Sequence, residues 1–397
     1  MSRNRILALA LAFGALAAPA GAAAAGPVQV VVGDICSRSY GCDPQIRVAA
    51  ASDAPIDLTV RDDGAETVLS SAGGLWPSSR RLDASIAPCR VLDARSVACP
   101  ARTSIEGIAG GPGADRLDAS GTAGLGLVLA GGPGDDTLIA GARGGTLRGG
   151  PGHDTLVGGP EGAFAALDDH RAALRADLRT QRMSGGDPGS EDTLRGITSV
   201  SGGQGDDVLI GDAGPNGLDG SAGADTLHGG DGDDALQGGL GADLLVGGDG
   251  DDRLTGPVSG PTERVHDRFD CGAGRDDVIG QSGDTVAISC DRVEGDALDG
   301  FRLRGPTAGR PAQVLVPRGL SGDVPADYRV EVRDARGRVR RTIRAQVTEA
   351  ARARSRWFRV PLTLPVTRLR VSVRAHDPYE TRANWRWAAE EYRIVLR

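Results

Sequence analysis

The sequence predicts an all-β protein: a parallel β-roll (β-solenoid) with an N-terminal β cap and a C-terminal antiparallel β-sandwich-like domain. The first observation is a run of six nonapeptides in one register over residues 202–255, each with leucine at its eighth position. A fixed short period with glycine-rich turns is typical of solenoids. The second observation is composition, because 61 glycines and 3% aromatic residues leave too little bulk for an ordinary globular core throughout.

Each nonapeptide divides into a six-residue turn and a three-residue strand whose leucine points inward, and two nonapeptides form one coil. The sixth position is acidic in all repeats but one: Asp207, Asn216, Asp225, Asp234, Asp243 and Asp252. Repeats two apart stack on the same side, so these residues form two columns. Strands in neighbouring coils lie about 4.8 Å apart, and carboxylates at that spacing repel unless a cation lies between them.

The chemistry of this stretch favours Ca²⁺ as the cation. Residues 202–255 carry twelve aspartates against one arginine, Arg253. Carboxylates and the carbonyls of glycine turns are hard oxygen ligands, which suit calcium. No cysteine or histidine cluster in this stretch offers an alternative site. The glycines agree with this interpretation, because such turns need backbone conformations that are closed to residues with a Cβ.

At these residues the chain resembles the RTX, or haemolysin-type, calcium-binding repeat family, whose pattern is GGxGxDxUx with U a large apolar residue. The resemblance covers about residues 107–293 and implies a calcium-binding β-roll, not a particular activity. It implies metal ligands at the sixth positions, namely Asp115, Asp136, Asp154, Asp207, Asp225, Asp234, Asp243, Asp252 and Asp276.

The columns also predict where ions lie. Binding beside Asn216 is expected to be weaker, because a neutral amide replaces a carboxylate there. One ion is expected in each of four gaps, those of Asp207/Asp225, Asp225/Asp243, Asp234/Asp252 and Asp136/Asp154.

Residues 1–25 have the features of an export signal peptide. Arg3 and Arg5 precede an apolar run over residues 6–16, and residues 23–25 offer an A-x-A cleavage site. The apolar run is too short to span a bilayer. We therefore expect a secreted, extracellular protein without a membrane span.

Residues 26–106 are predicted to form an N-terminal β-rich cap that closes one end of the roll. Short strands are expected at residues 28–32, 45–49, 57–61 and 95–98. In an exported protein an even number of cysteines predicts disulfides, although six cysteines allow fifteen pairings. Nearest neighbours are the expected partners: Cys36 with Cys42, Cys89 with Cys99, and Cys271 with Cys290.

Residues 107–159 contain the first, less regular RTX-like repeats. GGPGADRLD, GGPGDDTLI and GGPGHDTLV place Asp115, Asp136 and Asp154 at the sixth position. The last two lie 18 residues apart, which is one coil. The intervening nonapeptide AGARGGTLR keeps an inward leucine, Leu147, but has no aspartate, so that side of the coil is expected to be free of ions.

Residues 160–201 interrupt the array. Residues 164–178 allow either a short amphipathic helix or, as we favour, a strand over residues 173–178 that leads into the next repeats. His170 follows two aspartates, so either acid/base chemistry or an ordinary surface position is open to it; we expect the surface position.

Residues 202–299 form the predicted main calcium-binding β-roll and its cap. The period breaks at Pro257 and Pro261, and one further repeat-like segment, CGAGRDDVI, places Asp276 at the sixth position. The expected Cys271–Cys290 disulfide would prevent fraying at this end.

Residues 300–397 are predicted to form an arginine-rich β-sandwich-like domain. They carry 22 arginines against 9 acidic residues, whereas residues 1–300 carry 23 against 44. Period-two runs predict strands at residues 313–316, 328–333, 338–347, 357–363, 368–374 and 392–396. The arginines are open to three interpretations: a solvated sheet face, a patch for an anionic surface polymer, or docking on the acidic roll.

No recognised catalytic constellation is present. The five histidines form no H-E-x-x-H pair, and no G-x-S-x-G sequence occurs. The sequence therefore predicts a secreted, monomeric, non-enzymatic protein with calcium ions as its cofactor, which folds on export. Two alternatives stay open: a secreted hydrolase with an unrecognised site in a terminal domain, and an adhesin.

Overall fold

The computed structural model describes most of the repeat region and separate strands towards both ends. The described residues are 28–37, 41–50, 53–62, 64–73, 75–77, 89–100, 104–123, 126–187, 190–257, 266–281, 284–287, 289–294, 301–304, 313–317, 326–333, 338–347, 357–361, 366–375 and 388–395. The predicted signal peptide over residues 1–25 lies outside them.

In these ranges the regular structure is all β, which confirms the predicted class. None of the described residues belongs to a helix of the length and hydropathy needed to cross a membrane. The chain divides into two compact units, residues 1–171 with 176–201 and residues 172–175 with 202–397.

The first eighteen strands lie before residue 202. The N-terminal strands are β1 (Val28–Ser37), β2 (Gly41–Ala50), β3 (Asp57–Asp62), β4 (Glu66–Ser71), β5 (Leu75–Pro77), β6 (Arg90–Asp93), β7 (Ser96–Pro100) and β8 (Ser104–Ala109). The strands that follow are β9 (Arg116–Gly121), β10 (Leu127–Ala130), β11 (Thr137–Ile139), β12 (Gly145–Arg148), β13 (Thr155–Val157), β14 (Phe164–Ala166), β15 (Leu174–Asp177), β16 (Arg182–Gly185), β17 (Thr193–Arg195) and β18 (Ser199–Ser201).

The first unit contains two parallel ladders. One runs through β2, β8, β10, β12, β14 and β18, and the other through β3, β9, β11, β13 and β17. The N-terminal strands extend both ladders with antiparallel pairs, β1 on β2 and β4 on β3. Each of the four predicted N-terminal strands overlaps an observed one, and the role of this region as a cap stays a prediction.

The second unit continues with ten short strands. They are β19 (Val208–Ile210), β20 (Gly217–Asp219), β21 (Thr226–Asp231), β22 (Ala235–Gln237), β23 (Leu244–Asp249), β24 (Arg253–Thr255), β25 (Arg268–Ala273), β26 (Asp277–Ile279), β27 (Thr285–Ala287) and β28 (Arg292–Glu294). The odd-numbered strands β19 to β27 form one parallel ladder, and the even-numbered strands β20 to β28 form the other. These long parallel ladders are consistent with the predicted β-roll.

The C-terminal strands pair antiparallel. They are β29 (Phe301–Arg304), β30 (Gln313–Pro317), β31 (Ala326–Arg333), β32 (Val339–Val347), β33 (Trp357–Pro361), β34 (Val366–Ala375) and β35 (Ala388–Val395). β29, β30 and β33 form one group, and β32, β31, β34 and β35 form another. All six predicted strands overlap observed ones, whereas the packing of the groups as a sandwich stays a prediction.

The core of the second unit consists of stacked inward side chains. Register pairs Leu209 with Leu227, Leu227 with Leu245, and Leu245 with Phe269. All four of these side chains are completely buried. Leu218, Leu236, Leu254 and Val278 form the matching column in the other ladder. The eighth position of the nonapeptide therefore builds the core, as predicted.

Glycine at the fourth position permits the close stacking of the turns. Gly241 has φ of 133°, and a Cβ there would overlap the carbonyl oxygen of Gly223 one coil away. A side chain is excluded both by the backbone conformation and by this approach.

Two of the predicted disulfides are observed. Cys89 pairs with Cys99, and Cys271 pairs with Cys290. The backbone of the β1–β2 hairpin places Cys36 opposite Cys42, and their side chains lie outside the described part of the structure.

The segment over residues 160–201 contributes to both ladders although its sequence lacks the period. β14 and β18 extend one ladder, and β17 extends the other. Strand β15 agrees with the favoured interpretation of residues 173–178.

The surface position expected for His170 is wrong, because this side chain is only 2% exposed. Its Nδ1 accepts a hydrogen bond of 3.3 Å from the N–H of Asp187, and the ring packs against Gly186. Asp168 and Asp169 are exposed, so the charged neighbours correctly indicated a surface loop but not the direction of the next side chain.

Two adjacent leucines of β23 allow a test of which side chains point into the core. Leu245→Ala should lower the free energy of unfolding by about 2–5 kcal/mol, because it leaves a cavity in a closed stack. Leu244→Ala, the same change on the outward side, should cost about 1 kcal/mol or less. Urea unfolding of both variants under identical conditions measures the difference. Equal losses would contradict the assigned alternation.

Candidate metal centre

The sixth-position residues of the second unit form two hydrogen-bonded columns. In each step a side-chain oxygen, Oδ1, accepts the backbone N–H of the residue one coil earlier. Asp225 accepts from Asp207 at 2.8 Å, and Asp243 accepts from Asp225 at 2.8 Å. In the other column the acceptors are Asp234, Asp252 and Asp276, with distances of 2.8, 2.9 and 3.0 Å. The columns predicted from the sequence are therefore present.

The first unit contains a column of the same kind. Asp115 accepts the N–H of Ile56, Asp136 accepts from Asp115, and Asp154 accepts from Asp136, at distances between 2.7 and 2.8 Å. In the repeat without aspartate, the inward position predicted for Leu147 is confirmed, because this side chain is completely buried. The absence of an ion on that side stays a prediction.

In the repeats that begin with glycine, the second carboxylate oxygen faces that glycine. A Cβ on Gly229 would overlap Oδ2 of Asp234 and would lie 2.7 Å from the carbonyl oxygen of Gly247 in the next coil. A Cβ on Gly220 would meet the same two groups, Oδ2 of Asp225 and the carbonyl of Gly238. The missing side chain thus leaves a small cradle in which a carboxylate oxygen and a carbonyl oxygen converge.

Most of these second oxygens are buried and have no hydrogen-bond partner. This holds for Oδ2 of Asp115, Asp136, Asp154, Asp225, Asp234, Asp252 and Asp276. Each of these side chains is at most 2% exposed. Burying a polar atom without a partner is costly, and burying a charge without one costs far more. The arrangement is therefore suited to a cation that replaces the missing partner.

The turns fall into two types according to the second residue of the repeat. In an open turn this residue has positive φ, as at Gly111, Gly132, Gly150, Ser221, Gly230, Gly239, Gly248 and Gly272. In a closed turn φ is not positive, and the second N–H donates to the sixth side chain. Asp207 accepts from Gly203 at 2.7 Å in this way, and Asn216 accepts from Asp212 at 2.7 Å. Eight of the nine predicted ligands lie in open turns, and Asp207 does not.

Burial raises the pKa of several carboxyls in these columns. It raises the pKa of Asp225 and Asp234 to about 7 and that of Asp154 to about 8. Burial is the main cause, the hydrogen bond from the preceding coil opposes it, and the neighbouring carboxylates add to it. A divalent cation beside these groups would favour their ionised form instead.

The donor set fits calcium. Nowhere in the described ranges do three or more histidine, cysteine or acidic side chains converge on one point. An ion at a cradle therefore draws on backbone carbonyls and water as well as carboxylate, and calcium accepts six to eight such oxygens in flexible geometry. Asp234 and Asp252, with the carbonyls of Gly247 and Cys271 beside their cradles, are examples of the residues that would hold it.

Sequence reasoning missed three members of the columns. Asp154 donates its N–H to Asp192 at 2.8 Å, Asp243 donates to Asp267 at 3.0 Å, and Asp267 donates to Asp284 at 2.9 Å. The missed residues are the acceptors in these bonds, Asp192, Asp267 and Asp284. None of them belongs to a complete nonapeptide. Each is nevertheless followed two residues later by a buried apolar side chain, Leu194, Phe269 or Val286. The short signal D-x-U would have found them.

Comparison with known families agrees with this geometry. The model of the RTX calcium-binding nonapeptide repeat matches the chain in four copies, at residues 130–160, 193–227, 201–236 and 228–256. No curated protein matches the chain. The resemblance found in the sequence is confirmed for these copies. Between residues 130 and 256 the chain therefore carries repeats of the RTX calcium-binding nonapeptide family.

Proposed function

We propose that this is a secreted protein whose roll binds calcium at the open turns and folds when it does so. The observation that carries the proposal is the row of buried Oδ2 atoms without hydrogen-bond partners, each of which, except that of Asp276, lies beside a glycine cradle. Calcium at such a cradle would supply positive charge, and the oxygens that lack a hydrogen bond would coordinate it. The chain supplies rigid carboxylates, held in place through Oδ1, and glycine carbonyls on the next coil.

Folding and binding are coupled in this proposal because the donors belong to different coils. The carboxylate of Asp234 and the carbonyl of Gly247 meet only when their turns are stacked. Binding energy then contributes to the folding energy. Calcium modules outside cells typically have a Kd of about 10⁻⁴ to 10⁻³ M, so export through the predicted signal peptide would bring the chain to sufficient calcium. We also propose the domain boundaries that the sequence predicts.

One detail of the proposal differs from the expectation based on the sequence. Both oxygens of Asp207 accept backbone N–H groups, from Leu174 and from Gly203. We therefore place the first ion of this column at Asp225 and not at Asp207. Asn216 lies in the same kind of closed turn, which explains how an amide can replace the carboxylate there.

A second candidate function rests on exposed arginines near the C-terminus. Arg338, Arg340 and Arg341 are all exposed, and the last two lie on β32. Three cations within four residues form a surface that attracts polyanions through long-range electrostatics. We propose an anionic surface polymer, such as an acidic glycan, as a partner of this patch.

The two turn types give a direct test of the calcium sites. Asp234→Asn, in an open turn, should remove one bound calcium ion, because a neutral amide replaces the buried carboxylate. Asp207→Asn, in a closed turn, should leave the number of ions unchanged, because backbone N–H groups already bind both oxygens of Asp207 and the proposal places no ion there. Isothermal titration calorimetry of the full chain measures both stoichiometries. A loss of one ion in each variant would contradict the assignment.

The raised pKa values predict an unusual pH dependence for the chain in chelator. An aspartate whose pKa is about 7 in the fold and about 4 when unfolded binds its proton more tightly in the fold. Its contribution to stability is present below about pH 4 and is lost as pH rises through 7. Thermal unfolding in chelator should therefore show a lower Tm at pH 8 than at pH 5. Added calcium should reverse the order, because binding needs the ionised carboxylates. A Tm that rises with pH in chelator would contradict the prediction.

The arginine patch predicts salt-sensitive binding to a polyanion. The triple variant Arg338→Gln, Arg340→Gln, Arg341→Gln should elute from heparin resin at lower salt than the parent chain. A matched triple variant on the roll, Arg253→Gln, Arg268→Gln, Arg275→Gln, removes the same charge from other exposed positions. If both triples elute together, net charge and not the patch determines binding.

A further inference from the structure

A second set of aspartates, at the fifth position of the repeat, also links successive coils. These side chains are exposed and accept the N–H of the fifth residue in the following coil. Asp135 accepts from His153 at 2.9 Å, and Asp206 accepts from Ala224 at 2.8 Å. Asp233 accepts from Asp251 at 2.8 Å, and Asp251 accepts from Arg275 at 2.9 Å.

Together with the buried columns, these bonds clamp one coil to the next in both directions. One such step joins the coil of Asp206 and Asp207 to the coil of Ala224 and Asp225. The N–H of Ala224, in the later coil, donates to Asp206. The N–H of Asp207, in the earlier coil, donates to Asp225. Each coil therefore contributes one backbone N–H donor and one carboxylate acceptor from two adjacent residues, and the two hydrogen bonds run in opposite directions. This reciprocal clamp fixes the backbone that carries the carboxylate of Asp225.

The clamp is present at some coil steps and absent at others. At four of the other steps the fifth position is Ala114, Pro215, Ala224 or Ala242, and none of these side chains can accept a hydrogen bond. Those steps keep only the buried bond, such as the one from Asp225 to Asp243. The repeats that share the sixth-position aspartate thus differ in how firmly their carboxylates are held.

We propose that the fifth-position aspartates are positioning residues that raise the calcium affinity of the turn they clamp. The proposal rests on the proposed calcium function. A site whose donors are already ordered loses less conformational entropy on binding than one that must be ordered by the ion. Turns held by both hydrogen bonds therefore bind calcium more tightly than turns held by the buried bond alone. The fifth residue of the repeat thus sets the relative calcium affinity of the sites along the roll.

The role belongs to the acceptor oxygen and not to the charge. Asp206 and its equivalents are exposed to solvent, and Oδ1 is already bonded to a backbone N–H. An asparagine offers the same acceptor without the charge, whereas an alanine offers neither. This difference separates a positioning residue from an ion ligand, for which a neutral amide is a poor replacement.

The test uses the full chain with three variants at one coil step and a charge control. Asp206→Ala removes the clamp, Asp206→Asn keeps the acceptor, and Ala224→Asp adds an acceptor opposite the N–H of Ala242. The control, Asp231→Ala, removes an exposed carboxylate at the third position of another turn. Titration calorimetry gives the calcium Kd and stoichiometry of each variant and of the parent.

Asp206→Ala should weaken the affected site about three- to tenfold, since one hydrogen bond contributes roughly 0.5–1.5 kcal/mol. Asp206→Asn and Asp231→Ala should both bind as the parent does, and Ala224→Asp should bind more tightly. Equal weakening by alanine and asparagine at position 206 would overturn the proposal, and so would unchanged affinity in Asp206→Ala. A parent chain that binds no calcium would instead refute the proposed function itself.

Discussion

The hydrogen bond from one coil to the sixth-position carboxylate of the next is the interaction on which the rest of the roll depends. One oxygen of Asp234, for example, is committed to the N–H of Asn216, so the other must face the first glycine of its own repeat. That orientation excludes a Cβ on Gly229. Because the aspartate precedes the inward leucine by two residues, the same bond also sets the register of Leu236 on Leu218. Turn, cradle and core therefore follow from a single contact.

The same contact creates an electrostatic cost. Stacking carboxylates out of water raises the pKa of Asp136, Asp154, Asp225 and Asp234 to about 7 or 8. The roll can relieve this cost by binding protons or by binding cations. In the proposed function, calcium outside the cell provides the second route at neutral pH. Where a turn is closed, as at Asp207, the backbone itself satisfies both oxygens.

The columns tolerate considerable variation in the chain between their members. Successive column residues are separated by 18 residues at Asp136 and Asp154, by 24 at Asp243 and Asp267, and by 38 at Asp154 and Asp192. What persists across these gaps is the short D-x-U signal and not the complete nonapeptide. Long connections are accommodated because each coil needs only its aspartate, its inward apolar residue and its strand to join the ladder.

The sequence by itself determined the period, the inward leucines, the two columns and the calcium chemistry. In a solenoid these follow from contacts between adjacent repeats, so a local pattern is sufficient. The tertiary structure alone decided which turns are closed and that His170 is buried. Each of these depends on backbone groups from non-adjacent segments, such as the N–H of Leu174 on Asp207. A repeat pattern does not predict such a contact, because the contact depends on the path of an irregular segment between two coils.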